Sequence, residues 1–209
     1  MPVDEPLYPV NLRLRGRSVL MVGGGPVALS KVEGLLEGGA DSITVVAPDV
    51  LGEFDDLDVE VERRAYRAGE AADHRYVVTA VDDRDVTAQV WADAEAAGVW
   101  VNAADDPEFC SVTLPSRVRR GPVLLTASTG GRSPALSAWL RSWMEREFGS
   151  EVEVLLDLLS EARERIRAEG RSTEGLDWQK ALDSGMLEMV RQGRIVEAES
   201  VLWSCLSSS

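Results

Sequence analysis

The sequence predicts an α/β protein: an open, doubly wound parallel sheet, then a short segment of different texture, then a helical C-terminal part. Three observations carry this. Short runs of apolar residues, buried on both faces as parallel sheets require, alternate with stretches of helical periodicity. The first run stops at three consecutive glycines and restarts as a helix. Beyond Asp106 the alternation gives way to β-rich and then helix-rich stretches.

Residues 17–22, R-S-V-L-M-V, read as a buried strand. A helix follows over 26–38, with Val27, Ala28, Val32, Leu35 and Leu36 as its apolar positions. Pro26 suits the first helical turn, where its missing N–H costs little, and Gly38-Gly39 stops the helix. Residues 42–47, S-I-T-V-V-A, form the second strand, ended by Pro48-Asp49. Residues 59–63 alternate like a half-exposed strand, and 75–81, R-Y-V-V-T-A-V, read as a buried one before the polar turn 82–85. A helix over 86–97 ends at Gly98, and 99–102, V-W-V-N, is a further strand. Past Asp106, residues 109–115 and 122–127 read as two strands joined by 117–121. The turn S-T-G-G-R-S-P at 128–134 opens a helix over 135–147. From Glu151 the chain is helical and acidic, interrupted at Gly170, Gly175, Gly185 and Gly193. This gives three expected segments: 1–108 with the sheet, 109–147, and 148–209.

Composition excludes several classes. The 209 residues carry 44% apolar side chains, enough for a core, but no apolar run long enough for a membrane span. The acidic start M-P-V-D-E-P has no apolar signal core, so a cytoplasmic protein is expected. Net charge is −14, with 36 acids against 22 bases, which argues against nucleic acid as a partner. Lys31 and Lys180 are the only lysines, a bias that high-GC coding and salt adaptation both produce. Cys110 and Cys205 make no disulfide framework and no metal-ligand spacing; they read as small apolar residues. The single histidine, His74, reads as a surface-turn residue, and no resident metal site is expected.

Gly23, Gly25 and Ala28 form a G-x-G-x-x-A pattern between strand and helix. The first glycine makes the tight turn, the second lets a diphosphate approach the main chain, and the small third residue lets helix and sheet pack closely. The helix N-terminus then offers free N–H groups to phosphate. The arrangement is that of a Rossmann-type dinucleotide site. A glycine turn that has lost its ligand gives the same pattern. Pro26 removes one donor. Asp49, ending the second strand, can accept hydrogen bonds from a ribose diol and repels a 2′-phosphate, which favours NAD over NADP.

Ligands in such sheets bind beyond the carboxyl ends of the strands. Residues 23–27, Asp49, 81–83 and 102–106 are therefore expected along one crevice. Asp82 and Asp83 read as helix-capping acids by position. Asp105 and Asp106 precede Pro107 and suit a turn, yet a carboxylate there is placed to take a proton. From Phe109 to Met144 there is no Asp or Glu, while Arg117, Arg119, Arg120, Arg132 and Arg141 fall in that window. This local reversal of charge suits a polyanion or, equally, the acids of a partner subunit. Ser128, Thr129, Gly130, Arg132 and Ser133 make an anion-binding turn, or Ser133 simply caps the helix that Pro134 starts.

Six stretches together resemble the precorrin-2 dehydrogenase/sirohydrochlorin ferrochelatase family, the N-terminal portion of siroheme synthases. They are Y-P-V-N-L at 8–12, V-L-M-V-G-G-G-P-V-A at 19–28 with Lys31, T-V-V-A-P at 44–48, T-A-V-D-D at 79–83, V-N-A-A-D at 101–105, and S-T-G-G-R-S-P at 128–134. The resemblance implies oxidation of precorrin-2 to sirohydrochlorin with NAD+, and in some members Fe2+ insertion to give siroheme. It implies Asp105 at the catalytic centre. It implies NAD contacts at Gly23, Gly24, Gly25, Pro26 and Val27, at Pro48 and Asp49, and at Val81 and Asp82; Asn102, along the same crevice, is expected to join them. The arginine window gains a polycarboxylate to bind, through Arg117, Arg120, Ser128, Thr129, Gly130, Arg132 and Ser133. It further implies a homodimer that exchanges strands across 109–127. The family stretch often reads Asn-Val-x-Asp where this chain has Asn102-Ala-Ala-Asp105, with the carboxylate in register. The competing expectation is a non-catalytic NAD-sensing domain.

Overall fold

The structure, a computed structural model, describes residues 6–207; the acidic start at 1–5 and the last two residues of the serine tail lie outside the described residues. The chain divides into two compact units. One holds the described residues up to Leu114 with Ser128–Pro134; the other holds Pro115–Ala127 and the residues from Ala135 onward.

The first unit is a five-stranded sheet in the order β3-β2-β1-β4-β5, all neighbours parallel. Its strands are β1 (Val19–Val22), β2 (Ile43–Val46), β3 (Glu60–Glu62), β4 (Tyr76–Thr79) and β5 (Trp100–Ala103). Alternation along the strands divides their side chains between two cores. Val19, Met21, Ile43, Val45, Tyr76 and Val78 pack with Ala28, Val32 and Leu35 of α1 (Pro26–Glu37). Leu20, Val22, Val46, Val77 and Val101 pack with Val90 and Ala94 of α2 (Arg84–Ala97). Helices thus cover opposite faces, the doubly wound arrangement that the continuous apolar strands predict.

The ends follow the expected chemistry. Pro26 is the first residue of α1, and Gly38 caps it through its N–H to Gly34 O. Gly98 closes α2 with a left-handed φ of 68°. Two connections carry single 3-10 turns instead of helices: Gly52–Asp56 buries Phe54 against the first core, and Glu70–Asp73 buries Ala71 in the second.

The region after β5 differs from expectation. Residues 109–115 are not a strand. Pro107–Phe109 is a 3-10 turn, and the following chain runs beside β5, with Ser111 and Val112 N–H both donating to Val101 O. The strand is instead β6 (Ser116–Arg120), which includes the arginines expected to form a loop. It pairs antiparallel with β7 (Val123–Ala127), and Arg120 opposite Val123 leaves Gly121-Pro122 as the turn. Gly121 has φ 50°, which a two-residue hairpin demands and glycine supplies freely. Alternate charges hid the strand: Val118 is its buried position, flanked by Arg117 and Arg119.

The second unit holds this hairpin, most of α3 (Pro134–Glu147), and α4 (Glu151–Ala168), α5 (Trp178–Asp183), α6 (Met186–Arg191) and α7 (Ile195–Ser207). Leu155, Ala162 and Ile166 recur at helical spacing on α4 and share a core with Ala181, Met186, Val190, Ala198, Leu202 and Leu206. The expected interruptions fall between helices, with Gly170, Gly175, Gly185 and Gly193 all at positive φ. Among the described residues no helix is long and apolar enough to cross a membrane.

Candidate cofactor site and the Asp105 loop

Strand register aligns four loops. Val22, Val46 and Thr79 lie side by side, and Ala103 pairs with Thr79, so β1, β2, β4 and β5 all end at one edge. Main-chain bonds stitch that edge together. Gly23 N–H donates to Val46 O at 3.0 Å, Ala80 N–H to Val22 O at 2.8 Å, Leu51 N–H to Gly24 O at 3.0 Å and Ala104 N–H to Thr79 O at 2.8 Å.

The three glycines have three different reasons. Gly23 has φ 129°, and a Cβ there would collide with the Ala80 carbonyl. Gly24 is pressed onto the Asp49–Val50 main chain; its Cβ would strike Asp49 O and lie 2.8 Å from Val50 Cα. Gly25 has nothing within 4 Å of its Cβ position, although it is the N-cap of α1. That open space at a helix N-terminus is what a diphosphate approaching the main chain requires. The first turn of α1 carries no acid to repel it. The first α-type bond runs from Leu29 N–H to Gly25 O, which leaves the Val27 and Ala28 N–H groups ahead of it, while Pro26 has none. Ala28 is fully buried between helix and sheet, and Val27 is half exposed beside the turn. These residues fit the diphosphate of a dinucleotide.

Pro48 and Asp49 are exposed beyond β2, and the β4 turn places Val81 and Asp82 next along the edge. Asp83, not Asp82, caps α2: its Oδ1 accepts from Asp85 N–H at 3.0 Å and Val86 N–H at 3.4 Å.

Asn102 is buried, and its Nδ2 donates to Val112 O at 3.0 Å, anchoring the chain that follows β5. Its Oδ1 and the Thr79 hydroxyl are buried without a partner among the described residues. Asp105 is the single described non-glycine residue at positive φ, 60°, and is exposed. A side chain in this region costs roughly 1–3 kcal/mol, least for Asp and Asn, and persists where surrounding contacts fix the chain. Those contacts are present. The Cys110 thiol is 3.1 Å from Ala103 N and donates to Ala103 O at 3.2 Å. Burial pushes this thiol above its ordinary pKa, so it acts as a neutral bridge. Asp106 accepts from Arg84 Nε at 3.0 Å, and Glu108 pairs with the same guanidinium.

The remaining expected residues lie elsewhere in the chain. Ser128, Thr129, Gly130, Arg132 and Ser133 form a turn braced by bonds of its own: Thr129 Oγ1 accepts from Ser133 N–H at 3.3 Å, and Gly130 N–H donates to Ser128 Oγ at 3.2 Å. Arg117 and Arg120 belong to β6 in the second unit. Arg120 is held by main-chain carbonyls, with Nε donating to Phe148 O at 2.9 Å and Nη2 to Glu145 O at 3.2 Å.

Sequence reasoning missed Arg84 and gave Cys110 no role in the loop. Arg84 sits in D-D-R-D and read as part of a polar turn, with no signal for its long-range pairing. His74, expected at the surface, is half-buried; burial lowers its pKa, and its Nδ1 lacks a partner among the described residues.

Fold and glycine turn together define a dinucleotide-binding domain of Rossmann type. Residues 10–116 match the family model described as "Putative NAD(P)-binding", and the chain belongs to that family. Siroheme synthase of Methylococcus capsulatus is 36% identical over 201 residues, covering 93% of this chain and 42% of that protein. Siroheme synthase of Tolumonas auensis is 37% identical over 184 residues, covering 86% of this chain and 39% of its own length. The chain thus spans about two fifths of the length of these curated relatives. Among solved structures, "SirC, precorrin-2 dehydrogenase" superposes with a TM-score of 0.68 at 25% identity, covering 97% of this chain and all of that one.

Proposed function

We propose that the protein oxidises precorrin-2 to sirohydrochlorin with NAD+ as acceptor, in siroheme synthesis. The observation that carries this is the pairing, along one sheet edge, of a glycine turn open to a diphosphate with an exposed carboxylate held at positive φ. The end-to-end likeness to a precorrin-2 dehydrogenase supports it, as do relatives named siroheme synthase.

Bound NAD+ would supply the hydride acceptor. Gly23, Gly24, Gly25, Pro26 and Val27 would hold its diphosphate; Pro48, Asp49, Val81, Asp82 and Asn102 would line the rest, with Asp49 favouring the unphosphorylated ribose. Asp105 takes the proton that leaves as the macrocycle is oxidised, so the balance is precorrin-2 and NAD+ to sirohydrochlorin, NADH and H+. Arg117, Arg120, Ser128, Thr129, Gly130, Arg132 and Ser133 would bind substrate carboxylates through guanidinium, hydroxyl and main-chain N–H groups. Fe2+ enters only as a second substrate of a chelation step giving siroheme.

The active form in this reading is a cytoplasmic homodimer. Helix α3 buries only Met144 among its residues and leaves Leu136, Trp139 and Trp143 exposed, while the β6-β7 hairpin has both edges unpaired by other strands of the described residues. Such surfaces suit a second copy of the chain.

Purified protein, NAD+ and precorrin-2 under anaerobic conditions test the reading. Equimolar sirohydrochlorin and NADH are expected. NAD+ binding without turnover would point instead to a sensing domain. Fe2+ added afterwards tests chelation.

A further inference from the structure

We propose that Arg84 is a positioning residue for Asp105, a role that rests on the dehydrogenase reading above. Arg84 is the first residue of α2, directly after the capping Asp83. Its guanidinium reaches across to the loop after β5 and grips it at three points. Nε donates to Asp106 Oδ2 at 3.0 Å, the outer arm pairs with Glu108, and the guanidinium carbon stands 5.1 Å from the Phe109 ring centroid. Phe109 in turn packs at 5.8 Å on Trp91, further along α2. One side chain therefore joins the β4 loop to the residues immediately following Asp105.

Asp105 needs such a grip on both sides. Its positive φ is uphill for any residue with a Cβ, so it persists only if its neighbours are fixed. On the upstream side Ala104 N–H is bonded to Thr79 O. On the downstream side Asp106 and Glu108 are acids that would repel Asp105 and one another. Arg84 pairs with both and offsets their charge, and the exposed Asp105 carboxylate is left for a ligand. An exposed ion pair adds little to global stability. The effect of losing it is therefore local order and proton transfer, not the fold. Lysine at this position can pair one acid but cannot fork between two.

The test uses the full chain with Arg84→Gln, Arg84→Lys, Asp106→Asn and the Arg84→Gln/Asp106→Asn double variant. Hydrogen exchange without ligand reads the loop alone. Arg84→Gln is expected to speed exchange at the Ala104, Phe109 and Cys110 amides, leaving α1 and the melting temperature unchanged. In turnover, kcat is expected to fall by about 10- to 100-fold, the scale of a small misplacement of a reacting group, with the NAD+ Kd unchanged. Arg84→Lys recovers part of kcat, and the double variant is no worse than Arg84→Gln. Unchanged exchange, or an unchanged kcat, overturns the role. Absence of turnover in the wild type overturns the dehydrogenase reading instead, and the exchange data still decide whether Arg84 orders the loop.

Discussion

Alanine at Gly24 and at Gly25 should do opposite things, although the residues are adjacent. A Cβ at Gly24 would sit 2.8 Å from Val50 Cα and 3.0 Å from Val50 Cγ2, besides striking Asp49 O. Carbon atoms prefer about 3.5–4.0 Å, so the β2 loop must retreat by roughly 1 Å. Moving main chain in a packed interior costs about 1–3 kcal/mol. Taking about 3 kcal/mol, the melting temperature falls by roughly 6–12 °C for a chain of this size. At Gly25 the Cβ meets nothing, and φ −87° with ψ −173° suits alanine. The lost capping preference and the reduced freedom of the unfolded chain, each about 0.5–1 kcal/mol, nearly cancel. The methyl instead occupies the space proposed for phosphate. Displacing one charged hydrogen bond costs about 1.5–3 kcal/mol, so NAD+ affinity drops roughly 10- to 100-fold. Calorimetric melting and NAD+ titration read both. Gly25→Ala that binds NAD+ as the wild type does would refute the diphosphate placement, and Gly24→Ala that melts normally would refute the packing argument.

Asp105→Asn should lower kcat by about 10²- to 10⁴-fold, the usual worth of a positioned base, with NAD+ affinity retained in the same titration. Asp49→Ala should narrow the preference for NAD+ over NADP+ by about tenfold, close to 1.4 kcal/mol, in parallel Kd measurements. His74→Gln should flatten one part of the pH–stability curve. Burial depresses the His74 pKa, so the folded state resists the proton that the unfolded chain accepts at an ordinary 6.5. Stability relative to His74→Gln should therefore be unaffected well above that pH and lost as pH falls through it, measured by urea unfolding between pH 5 and 8. Parallel curves would remove His74 as the cause.

Much of the sheet was legible because each strand is apolar on both faces and the glycines that start and stop helices act locally. Gly23-Gly24-Gly25, Pro26 and Gly98 announce their turns within a few residues. The hairpin was misread because Arg117-Val118-Arg119 buries one side chain per two residues, a weaker signal than the apolar F-C-S-V-T-L before it. That earlier stretch is apolar for a different reason: it lies along β5 and packs Val112 against the first core. Within the candidate site, residues at strand ends could be placed by topology alone. The pairing of Arg84 with Asp106 and Glu108 could not, since 22 and 24 residues separate them and no periodicity encodes a meeting of two loops. Nor could the positive φ of Asp105, which depends on bonds made by Ala104, Asp106 and Cys110.

The most direct measurement is a crystal structure of the protein grown with NAD+. The account predicts the diphosphate within hydrogen-bond reach of the main-chain N–H groups at the N-terminus of α1, over Gly25, with the nicotinamide directed toward Asp105. A diphosphate bound anywhere else on the chain, or a Gly25 turn left in contact with solvent at saturating NAD+, would contradict it.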